Sequence, residues 1–438
     1  MQNIENTQKK SNMQKVALTA LAGTSIEWYD FFLYGAAAAL IFPTAFFGEM
    51  PPTTALLLSL LTFAAGFIAR PIGGIIFGHF GDKVGRKKTL ISALMLMGIS
   101  STLIGLLPTY AMIGVAAPIL LTTLRFAQGL AIGGQWGGAM LLVTESAPSD
   151  QRGYYGAFAQ AGAPIGVILA NLALIITSAL VSEEFFNTWG WRIPFLASAV
   201  LILISMYIQL NLEDTDAFKA LVDNKDTQSD ENIKKSPVVE AIRKYPKRIF
   251  LAAGAFLSVQ VTFYILIAFM LAYGVTSANM ARDDMLAAVL IASAIMVPVQ
   301  FIFSSYSDRH GRKGIFMSGA VLTGIWAFAI FPLVDTGNFY LIVLAITGGL
   351  VFLAMMYGPQ AAFFTELFST EVRYSGATLG YQFGAIVGGA FAPTIAVKLW
   401  TEFDIIWVSA YIALASLLTL ISVMALTETY QSDLNNTD

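Results

Sequence analysis

The chain has 438 residues, of which 56% are hydrophobic and only 12% are charged, whereas a soluble protein carries about 25% charged residues. Twelve helical spans of about 20 residues each would use about 240 residues, close to the apolar share of this sequence. The net charge of −3 argues against nucleic-acid binding, and the absence of cysteine with only two histidines argues against disulfides and Cys- or His-rich metal sites. We therefore expect an all-α integral membrane protein without a cofactor or metal.

Apolar segments recur along the whole chain and predict twelve transmembrane helices. In chain order they cover residues 16–42, 53–78, 89–107, 111–143, 154–181, 191–212, 248–274, 284–306, 315–333, 339–367, 374–398 and 404–427. Several exceed 20 residues, so tilt or extension beyond the membrane is expected. The polar, mixed-charge stretch between the sixth and seventh helices divides the chain into an N-terminal bundle (1–212), a linker (213–247) and a C-terminal bundle with a short tail (248–438).

Lysine and arginine are distributed unevenly between the predicted loops. If the N-terminus is inside, 20 of the 25 basic residues fall in inside segments, and only Arg192, Arg282 and Lys398 fall outside. The remaining two, Arg70 and Arg125, lie within predicted helices. Because basic loops stay on the cytoplasmic side, both termini and the linker are predicted to be cytoplasmic.

Two loop signatures repeat between the halves of the chain. The loop after the second helix and the loop after the eighth share Asp, Gly and Arg at the same spacing, with an offset of 226 residues. The segments after the fourth and tenth helices share Thr-Glu followed by Arg, with an offset of 221 residues. This repetition predicts two six-helix halves related by a pseudo-two-fold axis along the membrane normal, with a site between them near the midplane.

The repeated residues have a physical use at a loop. Gly85 permits positive φ, Asp82 can satisfy free N–H groups at a helix N-terminus, and Arg86 can reach Glu145. We interpret the set as a cytoplasmic latch between the halves; the alternative is a positively charged inside loop without a gating role. The predicted gating residues are Asp82, Gly85, Arg86, Glu145, Arg152, Asp308, Arg312, Glu366 and Arg373.

Both loops resemble the signature of the major facilitator superfamily, although Ser304 stands where glycine is usual. Further motifs are similar to the metabolite:proton symporter family: Gly23-Thr-Ser-Ile-Glu27-Trp-Tyr-Asp30-Phe, Arg70-Pro-Ile-Gly-Gly, Arg125-Phe-Ala-Gln128-Gly, Gly133-Gly-Gln135-Trp-Gly-Gly, Trp189-Gly-Trp-Arg-Ile-Pro194-Phe and Arg373-Tyr-Ser-Gly. The resemblance spans nearly the whole chain. It implies a bacterial inner-membrane carrier that works as a monomer, in a family that transports shikimate, α-ketoglutarate, citrate and other organic acids, or proline and betaine.

Two details refine this resemblance. The Gly-Gly-x-Trp-Gly-Gly form and the run Ala161-Gly-Ala-Pro-Ile-Gly166 resemble the shikimate-like branch more than the betaine branch. Many family members carry glutamate where this chain has Gln135. If that glutamate takes part in proton coupling in those proteins, this chain couples through another carboxylate or couples less strictly.

Charged residues inside the predicted helices of the first half are functional candidates, because an ionisable side chain within a membrane needs a partner or a water-filled cavity. Glu27 and Asp30 lie in the first helix, Arg70 in the second and Arg125 in the fourth. We expect Asp30 to pair with Arg125, as the resemblance also implies; the alternative is a purely structural ion pair. Glu27 either pairs with Arg70 or lies near the cytoplasmic mouth.

Helical spacing groups further polar residues with these charges. Positions 27, 30 and 34 share one face of the first helix, which adds Tyr34, and positions 125, 128 and 135 share one face of the fourth, which adds Gln128 and Gln135. The second half offers neutral groups that shape a pocket or serve helix packing. These candidates for substrate binding are Gln260, Tyr264, Tyr357, Gln360, Tyr381 and Gln382.

Together these features predict a proton-coupled symporter that imports a small organic acid by alternating access, with Asp30 and Glu27 as proton-coupling groups. A substrate carboxylate at Arg125 would compete with Asp30 and favour its protonation, which couples the two ligands by linkage. The nearest alternative is a proton symporter for a zwitterionic osmolyte such as proline or betaine. A channel and an enzyme are less favoured, since the repeat indicates two latched halves and no catalytic constellation is found. A transceptor without net flux stays open as an alternative.

Overall fold

A computed structural model of the protein describes residues 2–84, 86–133, 140, 143–213, 237–369 and 373–430. Within them, besides several shorter helices such as Pro237–Lys244 before the seventh long one, the chain forms twelve long helices. Their bounds are α1 Gln2–Leu40, α2 Pro52–Val84, α3 Arg86–Leu106, α4 Ala116–Gly133, α5 Arg152–Leu180, α6 Ile193–Glu213, α7 Pro246–Thr276, α8 Arg282–His310, α9 Arg312–Val334, α10 Phe339–Glu366, α11 in the pieces Arg373–Gly384, Ala385–Ala390 and Ala392–Glu402, and α12 Ile406–Ala425.

The all-α membrane architecture is confirmed. Ten of the described helices are long and apolar enough to cross a membrane, and α3 contributes a shorter apolar stretch, Ile91–Leu106. The first helix begins at Gln2 rather than at residue 16, because the polar N-terminal residues continue the same helix. The described part of α4 ends at Gly133, whereas the sequence predicted a helix to residue 143; residues 134–139 lie outside the description.

Two helices of the second half contain a π turn. In α7 the turn is Ile265–Phe269, directly after Tyr264, and in α11 it is Ala385–Ala390. The two helices pack together, and Gly389 of the α11 turn lies against the ring of Tyr264. Single π turns are frequent at functional sites because the extra residue redirects the side chains on either side of it.

The two halves meet along several helix pairs. α5 packs on α8 and α10, α2 packs on α11, and α1 contacts the π turn of α7. We call the end of the bundle that carries Arg152, Arg312 and Glu366 the motif end, because it holds the repeated loops. The other end, where α5 finishes at Leu180 and α8 begins at Arg282, is the opposite end.

Candidate substrate site and gates

The two buried arginines of the first half are brought together by close helix packing. Gly66 of α2 lies against the side chain of Arg125, and Gly133 of α4 lies against the backbone of Arg70, so that a Cβ at either position would collide with the other helix. Glycine is therefore required at both points of approach. Arg70 is 1% exposed and Arg125 is fully buried.

Aromatic rings cover the flat faces of both guanidinium groups. The ring of Phe31 lies between them, with its centroid 4.4 Å from Cζ of Arg70 and 4.1 Å from Cζ of Arg125. Phe67 covers Arg70 at 4.3 Å, and Tyr34 covers Arg125 at the same distance. These cation–π contacts hold a buried cation without neutralising it. Stacking leaves the N–H groups at the guanidinium edges available for hydrogen bonds.

Several of these edge groups have no partner. Nε and Nη2 of Arg70 and Nε and Nη2 of Arg125 are buried without a hydrogen bond. An unpaired buried N–H of a charged group is costly, so its persistence in a structure calls for an explanation. A carboxylate is the natural partner, because its two oxygens match the fork of a guanidinium.

The predicted Asp30–Arg125 ion pair is not formed. No ion pair within the described residues joins them, and both carboxylate oxygens of Asp30 lack a hydrogen bond. Instead, Nη1 of Arg125 donates to Oε1 of Gln128 at 3.0 Å, and Nε2 of Gln128 donates to Oγ of Ser101 at 2.7 Å. The hydroxyls of Ser101 and Ser198 lie near the carboxylate. The guanidinium of Arg125 is thus bound to Gln128 of its own helix and stacked on aromatic rings, and it does not pair with Asp30.

A small cavity lies between the halves beside this cluster. Its volume is about 10 Å³, room for about one water molecule, and it is lined by Trp28, Phe32, Ala163, Val259, Gln260, Phe263, Tyr264, Tyr357 and Tyr381. Arg70 and Arg125 do not line it, although they were predicted to contact substrate. The ring of Tyr264 stands next to Phe67, 5.0 Å between centroids, so aromatic side chains lie between the cavity and the arginines.

Four of the six second-half candidates line this cavity: Gln260, Tyr264, Tyr357 and Tyr381. Gln360 and Gln382 are buried but do not line it. In the first half, Tyr34 is buried and shares a hydrogen bond of 2.6 Å with Oγ1 of Thr62. Glu27 is half-buried one turn before Asp30, and Gln135 lies outside the described residues.

Sequence reasoning missed the aromatic part of the site. Trp28 and Phe32 flank Asp30 in a motif that drew attention for its charges, and Phe263 precedes Tyr264. Ser101 carried no signal, because a lone serine in an apolar helix looks like any packing residue. Only its position opposite Gln128 identifies it.

The motif end is closed by a helix cap that crosses between the halves. Oδ1 and Oδ2 of Asp308 on α8 accept hydrogen bonds from the backbone N–H groups of Gly153 and Tyr154 on α5, each at 2.8 Å. Asp308 also pairs with Nη1 of Arg312 at 2.6 Å. Gly311, the counterpart of Gly85 in the second repeated loop, adopts φ +99°, a conformation that favours glycine.

Two further contacts extend this network. Arg312 pairs with the buried carboxylate of Glu366 at 3.1 Å. Glu145, which follows α4 in the chain, pairs with Arg373 of α11 at 3.5 Å, across the halves. Arg152 is buried at the start of α5 and lies close to Glu366.

Part of the predicted latch lies outside the residues that the structure describes. The structure does not describe Gly85 or the side chains of Asp82 and Arg86. The contact of Arg86 with Glu145 therefore stays a prediction. The C-terminal tail adds a contact that the sequence did not suggest. Oε1 and Oε2 of Glu428 accept from the backbone N–H groups of Arg312 and Lys313 at 2.9 and 3.0 Å, and cap α9.

The opposite end is also bridged. Arg282 at the start of α8 stacks on Phe186 at 4.0 Å and donates to Oγ of Ser178 on α5 at 2.8 Å. Ser178 in turn donates to Oδ2 of Asp283 at 2.9 Å, and Asn171 donates to the carbonyl of Leu286 at 3.2 Å. The halves thus touch at both ends, and the cavity lies enclosed between them.

Twelve long helices in two repeated halves, ten of them apolar and long enough to cross a membrane among the described residues, with a polar and aromatic site between two bridged ends, are the architecture of a membrane transporter. Residues 20–379 match the family model of the Major Facilitator Superfamily. The chain belongs to this superfamily, and its relatives agree with the metabolite:proton symporter branch that its motifs resemble.

The relatives and solved structures agree over nearly full lengths. The inner membrane metabolite transport protein YhjE of Escherichia coli (strain K12) is 39% identical over 97% of this chain and 96% of its own length. The shikimate transporter of the same strain is 37% identical over 94% of this chain and 93% of its own. A structure of the proton:xylose symporter XylE, bound to 6-bromo-6-deoxy-D-glucose, superposes with a TM-score of 0.73 at 17% identity, covers 98% of both chains, and supports the fold.

Proposed function

We propose that this protein is a proton-coupled symporter that imports a small organic acid, such as shikimate, a dicarboxylate or a related metabolite. The observation that carries the proposal is the pair of buried arginines with unpaired N–H groups. The other buried arginines of the described first half, Arg152 and Arg192, lie at the two ends of the bundle. The similarity to the shikimate transporter supports the same class of substrate.

The substrate path follows from the position of the cavity. A ligand that enters must widen the cavity, and it meets Gln260, Tyr264, Tyr357 and Tyr381 first, which suit hydroxyl and carbonyl groups. Its carboxylate reaches the arginines when the rings of Phe31 and Tyr264 move aside. In the structure, aromatic side chains separate the cavity from the arginines. In the ligand-bound state these side chains are displaced.

Coupling to protons requires that anion binding favour protonation nearby. Asp30 lies in the same buried cluster as Arg125, so a carboxylate held at Arg125 withdraws the positive charge that stabilises the ionised form of Asp30. A tenfold mutual effect requires only about 1.4 kcal/mol of coupling. Glu27, half-buried one turn away, is a second candidate for the proton site.

The remaining parts of this proposal concern location and assembly. The distribution of lysine and arginine supports a cytoplasmic location for both termini and the motif end. We place the protein in a bacterial inner membrane, as the name of the relative YhjE suggests. One chain contains both halves of the site, so a monomer suffices for transport.

A second candidate function rests on the cavity itself. Six of its nine lining residues are aromatic, and aromatic rings attract quaternary ammonium groups. A symporter for a zwitterionic osmolyte such as proline or betaine would use these rings for its cation and the arginines for its carboxylate. The two candidates differ in whether a positively charged group on the ligand is required.

A thermal-shift screen of the purified protein at two pH values separates these candidates. Shikimate, citrate, α-ketoglutarate, proline and betaine are the probes, and ligands that raise the Tm bind the folded state. Uptake of the strongest binder into proteoliposomes, with and without an inward proton gradient, then tests coupling. Stabilisation by acids that lack an ammonium group supports the first function, and stabilisation by betaine or proline alone supports the second.

A matched pair of substitutions tests the role of the arginine. Arg125→Lys keeps the charge but loses the fork, so binding of the acid is expected to weaken about tenfold or more. Arg192→Lys is the control, because Arg192 is also buried but donates to the backbone carbonyls of Thr188 and Leu107 at the opposite end. Equal effects of both substitutions on binding would contradict the assigned site.

A further inference from the structure

We propose that Ser101 is a positioning residue that links the occupancy of Arg125 to the proton on Asp30, through Gln128. The inference rests on the proposed function, since it explains how that site couples an anion to a proton. All four residues are at least 99% buried, and they come from α1, α3 and α4. Bulk water therefore does not join acid and base directly.

The hydrogen bonds from Arg125 through Gln128 to Ser101 have a fixed direction. A guanidinium can only donate, so Arg125 must face the carbonyl oxygen of the Gln128 amide. The NH2 group of Gln128 then points to Ser101 and donates to its Oγ. Because Oγ of Ser101 accepts this bond, its own proton is directed elsewhere. Within the described residues no hydrogen bond uses that proton, and the unpaired carboxylate of Asp30 lies nearby.

Ser198 provides an internal comparison. Its hydroxyl also lies near Asp30, but it already donates to the carbonyl of Pro194 at 3.4 Å. Ser198 is not part of the hydrogen-bond series that runs from Arg125 through Gln128 to Ser101. Two hydroxyls of the same chemistry thus flank one carboxylate, and only that of Ser101 depends on where Arg125 points.

Few charged or titratable groups surround Asp30. Arg125 faces it from α4, Tyr29 and half-buried Glu27 share its helix, and α3 and α6 present the two neutral serines. The phenol of Tyr29 is engaged with the carbonyl of Pro194 at 2.8 Å. The ionisation of Asp30 therefore depends on the charge of Arg125 and on the hydroxyl donors of Ser101 and Ser198.

These hydrogen bonds imply an order of events when a substrate carboxylate binds. In the substrate-free state, Gln128 holds Ser101 so that a small adjustment lets its hydroxyl donate to the ionised Asp30. A substrate carboxylate that binds Arg125 draws Nη1 away from Gln128, whose amide is then free to rotate. Ser101 loses its orientation, the carboxylate loses a donor, and Asp30 takes up a proton from the open side of the membrane.

Infrared difference spectroscopy can follow the carboxyl group without any transport. The protein is titrated without substrate, and the carbonyl band of a protonated carboxyl that disappears in Asp30→Asn reports its ionisation. Loss of a hydrogen bond to a charged group corresponds to a shift of about one pH unit. We expect Ser101→Ala to move the midpoint up by this amount, Ser198→Ala to move it by much less, and Ser101→Thr to retain the wild-type midpoint.

A second variant keeps the test decisive if Ser101→Ala folds poorly. Gln128→Met leaves the serine in place but removes the bridge, and it is expected to raise the midpoint in the same direction. Equal shifts in Ser101→Ala and Ser198→Ala, no shift in Ser101→Ala or Gln128→Met, or a band that survives Asp30→Asn would each overturn the proposal. Failure of the proposed function is a different result: wild-type proteoliposomes would accumulate none of the acids under a proton gradient.

Discussion

Asp308 of α8 accepts hydrogen bonds from the backbone N–H groups at the start of α5, with Gly153 at 2.8 Å, and so ties the second half to the first. The carboxylate sits at the positive end of the α5 dipole, where a negative charge is favoured. Gly153 is needed there because a Cβ would collide with Asp308 and Arg312. One residue of the repeated loop thus acts as the N-cap of a helix in the other half.

Removing the charge of Asp308 should loosen the motif end. Asp308→Asn keeps an acceptor for Gly153 but loses the ion pair with Arg312, a change of about 1–2 kcal/mol. We expect the transport rate to fall about tenfold while the dissociation constant of the ligand changes little, because the cap is remote from the cavity. Uptake rates in proteoliposomes and binding to purified protein measure the two quantities; loss of both to the same extent would contradict a gating role.

The contact between Thr144 and Thr365 offers a covalent test of closure at the motif end. Their hydroxyl oxygens lie 3.2 Å apart across the halves, and the chain has no cysteine. We expect the pair Thr144→Cys and Thr365→Cys to form a disulfide under mild oxidation. The disulfide would hold this end closed and stop transport, and a reductant would restore it.

The cross-link is detected by placing a protease site in the linker 213–247, so that the two halves separate on a gel unless they are joined. Each single cysteine variant serves as its control. Undiminished transport by cross-linked protein would show that the motif end need not open.

Arg282 is expected to stabilise closure at the opposite end. Arg282→Ala removes the stacking on Phe186 and the bond to Ser178, so this end should open more readily. Lys398→Ala is a matched control, because Lys398 is another basic residue at this end and forms only an exposed pair with Glu402 at 3.8 Å. Labelling of Gln260→Cys by a membrane-impermeant maleimide should speed up with Arg282→Ala and not with Lys398→Ala.

The tail residue Glu428 should contribute to stability through its cap on α9. Glu428→Gln weakens the bonds to the backbone of Arg312 and Lys313 and removes a negative charge from a helix N-terminus, at a cost of about 1 kcal/mol. We expect the Tm in detergent to fall by about 2–4 °C. Glu402→Gln, in the exposed pair with Lys398, should leave the Tm unchanged; equal Tm values for both variants would argue that the tail does not hold α9.

The aromatic shell shows where sequence reasoning reached its limit. Helical spacing correctly grouped Arg125 with Gln128, since positions three apart on one helix face the same way. It could not show that Phe31 lies between Arg70 and Arg125, because that position depends on three helices packed at once. The expected ion pair of Asp30 failed for the same reason: the spacing gave the helix face but not the distance across the bundle.

The sequence by itself determined the membrane class, the twelve helices and the repeated halves, because apolar run length and loop charge act locally and leave a direct trace in composition. The family followed from motifs spread along the chain. Only the tertiary structure decided which buried charges find a partner, that Asp308 caps α5, that Gln128 donates to Ser101, and that both ends are bridged. These are relations between side chains far apart in sequence, and within a closely packed interior a shift of a few ångströms determines whether a hydrogen bond exists at all.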